Sequence, residues 1–266
     1  MDPSASLSAP HAIRKMIKDG DYTGPTKGFV PGFTQCNVII LPKSEAYSFF
    51  RFCESNPSVC KLIIPPSEPG DFNLEALGKD IDIRHHIPKY QILKHGQLAQ
   101  ECQSIEPVWR DDLVTFAFAS YLSFDNLLGH YGINPPSANP TTPLPLYISN
   151  LPCTKVDNYE ANQVLAMRPL SKPSLIHAIQ AATLSRLPFA LPLHFGKPSE
   201  VGIGDLKKPN FGEPISCKKD ELPVFWGSSL TAQLAIAKAA PEFCIMNSPH
   251  HLLVTDIQDL ELAVNK

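Results

Sequence analysis

Proline constrains this chain more than any other residue, at 27 of 266 positions, about twice the usual share. Each proline fixes φ, withdraws a backbone donor and interrupts helix interiors and central strands. The chain must therefore be built from short elements joined by many loops. The densest stretch, NPPSANPTTPLP, carries five prolines between residues 134 and 145. It predicts a stiff linker and a domain boundary near residue 143.

Apolar patterning organises what lies on either side. Residues 7 to 19 read as a helix with Ala12, Ile13, Met16 and Ile17 on one face and Gly20 as its stop. The segment TGPTKGFVPGFTQ then spaces Gly24, Gly28 and Gly32 ahead of a buried strand at Cys36 to Leu41. Glycines that precede a strand, instead of joining a strand to a helix, support neither a dinucleotide fingerprint nor a P-loop. A helix is expected at 44–55 and short strands at 61–64, 81–83 and 90–93. The continuous apolar run Leu113 to Ala119 reads as a central strand that leads through Ser120 to Asp125 into a helix ending near Gly129 or Gly132. Beyond the linker, PLYISNL, NQVLAMRPL, a helix at 174–184 and LPLHF make a small α+β pattern. ELPVFW, a helix at 230–239, FCIMN and LLVTD then restore the strand–helix–strand rhythm, so the middle reads as an insertion. The expectation is an α/β fold with a main domain from 1–143 and 221–266 and a smaller α+β domain at 144–220 between them.

Composition removes several classes of function. With 23 basic against 26 acidic side chains and a net charge of −3, the chain has no excess with which to neutralise phosphates, and nucleic acid is not an expected partner. No apolar stretch approaches the roughly 20 residues that span a bilayer, and the first residues lack an apolar signal core. No membrane association is expected, and a cytoplasmic protein is. The seven cysteines, Cys36, Cys53, Cys60, Cys102, Cys153, Cys217 and Cys244, show no CxxC spacing and read as reduced, buried thiols. His85-His86 and His250-His251 are adjacent pairs, which on a strand point to opposite faces, so no metal site is expected. Signatures of serine hydrolases, Walker loops and kinases are absent.

The candidate chemistry lies at element ends. Asp111 and Asp112 directly precede the central strand, where one could act as a general acid or base or simply bond Arg110. Ser123, Phe124 and Asp125 follow its other end, at a helix start that can hold an anion or be capped by Asp125. Arg84, Arg168 and Arg186 sit beside apolar or proline-bounded segments, and a buried arginine must meet a carboxylate of the protein or of a ligand. His194 could carry protons near neutral pH or be a satisfied core residue. Thr231 and Gln233 open the helix after VFWGSSL, as plain caps or as lining of the edge that Asp125 occupies.

A set of ordered blocks gives these residues a context. GPTKGFVPGFTQCNVIILP, NPSVCKL, DIRHHIPKYQI, WRDDLVTFAF, SFDNLL, PLYISN, MRPL, LPLHFGKPSEVGIGDLKKPNFGEPI, ELPVFW, LTAQ and LLVTD, over about residues 14 to 256, resemble the D-glutamate cyclase family, whose bacterial members are labelled hydro-lyases. The resemblance implies a three-layer αβα domain formed by both ends of the chain, with a smaller two-layer domain inserted. It implies loss of water as D-glutamate closes to 5-oxoproline, chemistry that requires no cofactor in principle. The positions matching polar motifs of the family are Gln35, Asn37, Arg84, Asp112, Ser123, Asp125, Arg168, His194, Asp205, Thr231, Gln233 and Asp256. Among them Arg84 and Arg168 are expected to hold carboxylate, and Asp125, His194 and Asp112 to act as catalytic groups.

The chain also departs from the family pattern. Ser120 and Ser228 stand where the family usually has cysteine, Lys197 where aspartate is usual, and Met246-Asn247-Ser248-Pro249-His250 replaces T-H-x-P-G. These departures point to an altered substrate, a small carboxylate-bearing or oxygenated metabolite of specialised metabolism, met by a pocket made more apolar by Leu122, Phe189 and Leu191. The alternative is a non-catalytic small-molecule-binding or regulatory protein on the same fold. A homo-oligomer is compatible with either.

Overall fold

A computed structural model describes residues 9–27, 29–120, 125, 128–129, 132–133, 144–184, 190–259 and 261. Gly28, Leu122, Ser123, Arg186, Phe189 and linker residues 134–143, all singled out above, lie outside the described residues, as does most of the helix expected after Ser120. The fold is mixed α/β, with two antiparallel sheets and four α-helices among the described residues.

The first sheet has β1 (Phe33–Pro42) at its centre, with β2 (Tyr90–Lys94), β3 (Gln97–Cys102), β4 (Leu113–Ala119), β9 (Phe243–Asn247) and β10 (Leu253–Gln258). One edge of β1 pairs with β4 from Cys36↔Ala119 to Pro42↔Leu113, and its other edge is shared by β10 and β9. All these pairings are antiparallel, so the start of β1, the ends of β4 and β9 and the start of β10 gather at one end of the sheet. Alternation sorts the side chains. Ile39, Leu41, Val114, Phe116, Phe118, Cys244 and Met246 pack beneath α2 (Lys43–Ser55) and α4 (Leu230–Ala239). Cys36, Val38, Ile40, Ala117 and Ile245 face the other way. That second face is covered by Leu74, Leu77, Ile81, Ile83 and Ile87 of a turn-rich segment. Helix α1 (Pro10–Lys18) packs Ile13 and Ile17 against Val254 of β10. Its fully buried Arg14 donates to the Val254 carbonyl at 3.1 Å and pairs with Asp80 and with Asp256 at 2.8 Å.

Two expected strands are replaced by other structure, for identifiable reasons. KLII makes only a bridge from Leu62 to Phe118. The chain from 62 to 70 does run along the outer edge of β4, where the N–H groups of Ile63, Ser67 and Gly70 donate to the carbonyls of Ala117, Thr115 and Leu113 at 2.8–3.0 Å. Pro65, Pro66 and Pro69 break the ladder between these bonds, because a proline has no N–H to give. Residues 81–83 likewise form only the bridge Asn73↔Asp82. Conversely β3 carries no apolar pattern, and most of it is exposed. It is held by its pairing with β2 through a tight turn in which His95 and Gly96 both have positive φ, 49° and 73°, the conformation that two-residue hairpins require.

The second sheet runs β5 (Leu146–Pro152), β6 (Asn162–Ser171), β8 (Glu221–Gly227), β7 (His194–Phe195). Strand β8 pairs with β6 from Leu165↔Gly227 to Ser171↔Glu221. Helix α3 (Lys172–Leu184) covers one face, packing Leu175, Ala178 and Ala182 on Leu170, Val224 and Trp226. Tyr147, Leu165, Met167 and Phe225 form the other face, with Val201 and Ile203. Among the described residues no helix is long and apolar enough to cross a membrane.

Candidate active site

The two sheets meet at the end of the first sheet where β4 terminates. Leu128 and Ile133, which follow β4 in the chain, pack with Trp226 and Val224 on the α3 face of the second sheet. The chain thus leaves one sheet and docks on the other, carrying Asp125 with it. There Asp125 is buried and its Oδ1 accepts from Arg168 Nε at 2.6 Å. Arg168 projects from β6 with only 1% exposure, its guanidinium 5.3 Å from the Trp226 ring centroid. Trp226 is itself fixed by donation of its indole N–H to the Ala190 carbonyl at 2.9 Å.

A narrow cleft opens beside this pair, lined by Ser58, Lys61, Ser120, Arg168, Ser228 and Ser229 among others, with ≈ 440 Å³ of space that includes its opening to solvent. Gly227 forms part of its wall, and a Cβ there would lie 2.2 Å from the Ser58 carbonyl oxygen, so only glycine lets β8 and the 56–60 turn approach this closely. The Ser120 hydroxyl is buried and has no hydrogen-bond partner among the described residues. From the first sheet, Asn37 donates to Ser229 Oγ at 3.1 Å and accepts from Asn247 Nδ2 at 3.2 Å, and Asn247 Oδ1 takes the Val38 N–H at 2.8 Å. Thr231 ties the start of α4 to β6 by accepting the Val164 N–H at 2.9 Å.

The glycine-spaced loop before β1 is fastened to the chain between β9 and β10. Thr26, fully buried, donates its N–H to the His250 carbonyl at 3.0 Å and accepts the Leu252 N–H on its hydroxyl at 3.0 Å. Gln35 holds the same loop by donating to the Thr26 and Phe29 carbonyls at 3.2 and 3.1 Å. His250 completes the turn with φ at 67°. Next to Thr26, Lys27 is half-buried and feels the charge of Asp125. Burial lowers its pKa and Asp125 opposes that shift. Burial, the Lys27 charge and His251 together lower the pKa of His250.

The structure thus brings together Asp125, Arg168, Ser120 and Ser228, with Asn37 beside them and Gln35 and Thr231 as supports behind. It does not bring the other expected residues to the cleft. Asp112 lies at the opposite end of β4, exposed, and binds Arg110 at 2.9 Å. Arg84, expected to hold substrate carboxylate, is gripped at two points by Asp82, at 2.9 and 2.8 Å, and stacks over Phe72 at 3.5 Å on the turn-rich segment. Its neighbour two residues away supplies the carboxylate that burial demands. His194 pairs with Phe225 on the face of the second sheet opposite Arg168, and its Nε2–H donates to the Lys197 carbonyl at 2.9 Å. Gln233 is half-buried on α4 and does not line the cleft. Sequence reasoning missed Ser229 and marked Asn247 only as a departure from the family pattern, because the bonds that join them to Asn37 span 192 and 210 residues.

The D-glutamate cyclase family model matches residues 114–256. A protein of Paraburkholderia phytofirmans named "Putative hydro-lyase" is 39% identical over 96% of this chain and 98% of its own length. Proteins of the same description from Afipia carboxidovorans and Bacillus licheniformis are 40% and 37% identical, covering 99% and 96% of the chain and 97% of each relative.

Proposed function

The chain belongs to the D-glutamate cyclase family, and from that premise we propose that it is a lyase-type enzyme that removes water from a small carboxylate-bearing metabolite, working in the cleft between its two sheets. The observation that carries this reading is the buried Arg168–Asp125 pair beside the Ser120 hydroxyl. An arginine offers five N–H donors, of which Nε is directed at Asp125. A guanidinium so oriented can grip a second carboxylate and stabilise charge that develops on its oxygen during reaction.

For D-glutamate the chemistry is ring closure. The amine nitrogen attacks the distal carboxyl carbon, the C–N bond forms and a C–O bond breaks. Two protons of the substrate ammonium depart with that oxygen as water. Asp125 takes the first proton, Arg168 holds the carboxyl group under attack, and the Ser120 and Ser228 hydroxyls face the reacting groups. Both serines replace the family's usual cysteines and both line the cleft, which supports an altered substrate in specialised metabolism. We extend the reading to the architecture and location: two domains, each built on one sheet, with the second inserted into the first, in a cytoplasmic protein.

Mass spectrometry of the purified protein incubated with D-glutamate tests this. The expected result is a product lighter by one water, formed at least ~100-fold more slowly by Asp125→Asn. If the wild type leaves D-glutamate and a panel of related amino and hydroxy dicarboxylates unchanged, the reading fails.

A further inference from the structure

We propose that Ser229 is a substrate-contacting residue of the cleft, offering its hydroxyl proton to a carboxylate oxygen, and that Asn37 and Asn247 are positioning residues that fix it as a donor. The inference rests on the reading of the cleft as the site of a carboxylate-bearing substrate, and it assigns a role to three residues that the ring-closure chemistry leaves unused.

Hydrogen-bond polarity carries the argument. The β1–β9 ladder ends at Ile39↔Met246, and the N–H of Val38, its neighbour in β1, goes to Asn247 Oδ1 at 2.8 Å. A backbone N–H only donates, so the Asn247 atom that faces it is the oxygen. Asn247 Nδ2 then donates to the Ser248 carbonyl and to Asn37 Oδ1, at 3.1 and 3.2 Å. A carbonyl only accepts, which fixes the same orientation from the other side. With its oxygen turned to Asn247, Asn37 presents Nδ2 to Ser229, whose Oγ accepts at 3.1 Å. A hydroxyl that accepts from the protein keeps its own proton to give, and no described residue takes it. Ser229 also stands at the N-cap of α4, where a serine ordinarily accepts a helix N–H, yet its side chain makes no capping bond. Its hydroxyl is turned from that structural task to the Asn37 relay.

The surroundings select the ligand. Ser228 is set in the same way, since its Oγ accepts the Leu230 N–H at 3.3 Å, and it lines the cleft beside Ser229. Two neighbouring hydroxyls thus present protons where α4 begins, and the first turn of this ten-residue helix favours an anion at the same place. The buried Ser120 hydroxyl, without a partner among the described residues, lines the same cleft, as do Lys61 and Arg168. Donors and cations gathered around one cleft match a carboxylate, whose oxygens only accept. An ammonium group would meet protons on both serines.

Glutarate is the probe, because it carries two carboxylates and no amine and so binds without reacting. In isothermal titration Ser229→Ala should bind it at least ~10-fold more weakly than wild type, a difference of about 1.4 kcal/mol. Ser229→Thr, which keeps the hydroxyl, should retain most of the affinity. With no capping bond to lose, both variants should fold. Asn37→Asp tests the polarity. A carboxylate at that position can only accept, so it draws the Ser229 proton inward and should weaken glutarate at least ~10-fold. The added charge also repels glutarate, so the substitution is repeated in Ser229→Ala, where the loss it causes should be at least ~5-fold smaller. The proposal is overturned if wild type does not bind glutarate, if Ser229→Ala binds it equally well, or if Asn37→Asp costs the same in both backgrounds. A wild type that binds glutarate through Ser229 but leaves every candidate substrate unchanged would refute the lyase reading and leave this one standing. A substrate that loses water at unaltered KM in Ser229→Ala would do the reverse.

Discussion

At the start of β4, Asp112 meets Arg110 two residues away with both side chains about half in water. Beyond its other end Asp125 meets Arg168, 43 residues away on a different sheet, with 5% and 1% of the two side chains exposed. The first pair can form in almost any chain that contains the sequence RDD, because it closes a very short loop, and water screens its attraction. The second forms only when both sheets are in place, and once formed it has no water to fall back on. The contrast separates a charge pair that decorates a strand end from one that depends on, and reports, the assembly of the cleft.

Mutations can sharpen or break this contrast. The largest effect is expected from Arg168→Met, which leaves the Asp125 carboxylate buried without its guanidinium and should cost ~3–5 kcal/mol in urea denaturation. Adding Asp125→Leu to that variant should restore much of the loss, whereas the same double-mutant cycle on Arg110 and Asp112 should give a coupling below ~1 kcal/mol. Equal couplings would erase the distinction. Gly227→Ala tests whether the cleft depends on close approach of its walls. A methyl group aimed at the Ser58 carbonyl should cost ~1–3 kcal/mol and slow the loss of water from substrate.

A smaller effect depends on pH and arises away from the cleft. Buried His86 accepts the Asp82 N–H on Nδ1 at 3.1 Å, and burial pushes its pKa down to about 4. Between that value and the ordinary histidine pKa of about 6.5, the unfolded chain binds a proton that the folded one refuses. Stability should therefore fall as pH drops through this window and level off below it. His86→Gln should flatten the slope between pH ~6.5 and ~4 in denaturation curves, and an unchanged slope would place the acid sensitivity elsewhere, the cleft included. The smallest effect belongs to Asp112→Asn, expected within ~0.5 kcal/mol of wild type in stability, with turnover unaltered. Loss of turnover there would mean that the two ends of β4 are coupled after all.

How much of this was legible beforehand depended on how local the cause was. β1, β4, β9 and β10 could be read because their apolar runs are buried on both faces, and α2 because Ala46, Phe49, Phe50 and Cys53 stand at helical spacing, although Phe52 is fully buried where Phe50 is only partly so. β3 could not, since QLAQEC owes its extended form to hydrogen bonds with β2 rather than to any pattern of its own. The segment KLII looked like a strand because apolar content outweighed the prolines just behind it. In the site, Asp125 was a candidate because it follows the end of a readable strand, Arg168 because it stands in an apolar, proline-bounded segment, and Ser120 and Ser228 because they depart from the family's usual cysteines. Arg84 was assigned to substrate although the DIR motif already held Asp82, two residues away. Ser229 had no local mark, since what ties it to the first sheet is a bond from Asn37, 192 positions earlier.

The central place of β1 has a consequence for how the chain is made. One of its edges can be covered by β4 early, but the other waits for Met246 and Val254, roughly 200 residues further along the chain. At ~5–20 residues per second, a ribosome needs about 10–40 s to supply them. Throughout that interval the strand that organises the first sheet has one unsatisfied edge, in an apolar segment suited to pairing with another chain. Newly made protein should therefore depend on chaperones, or on slow release, more than its size alone suggests.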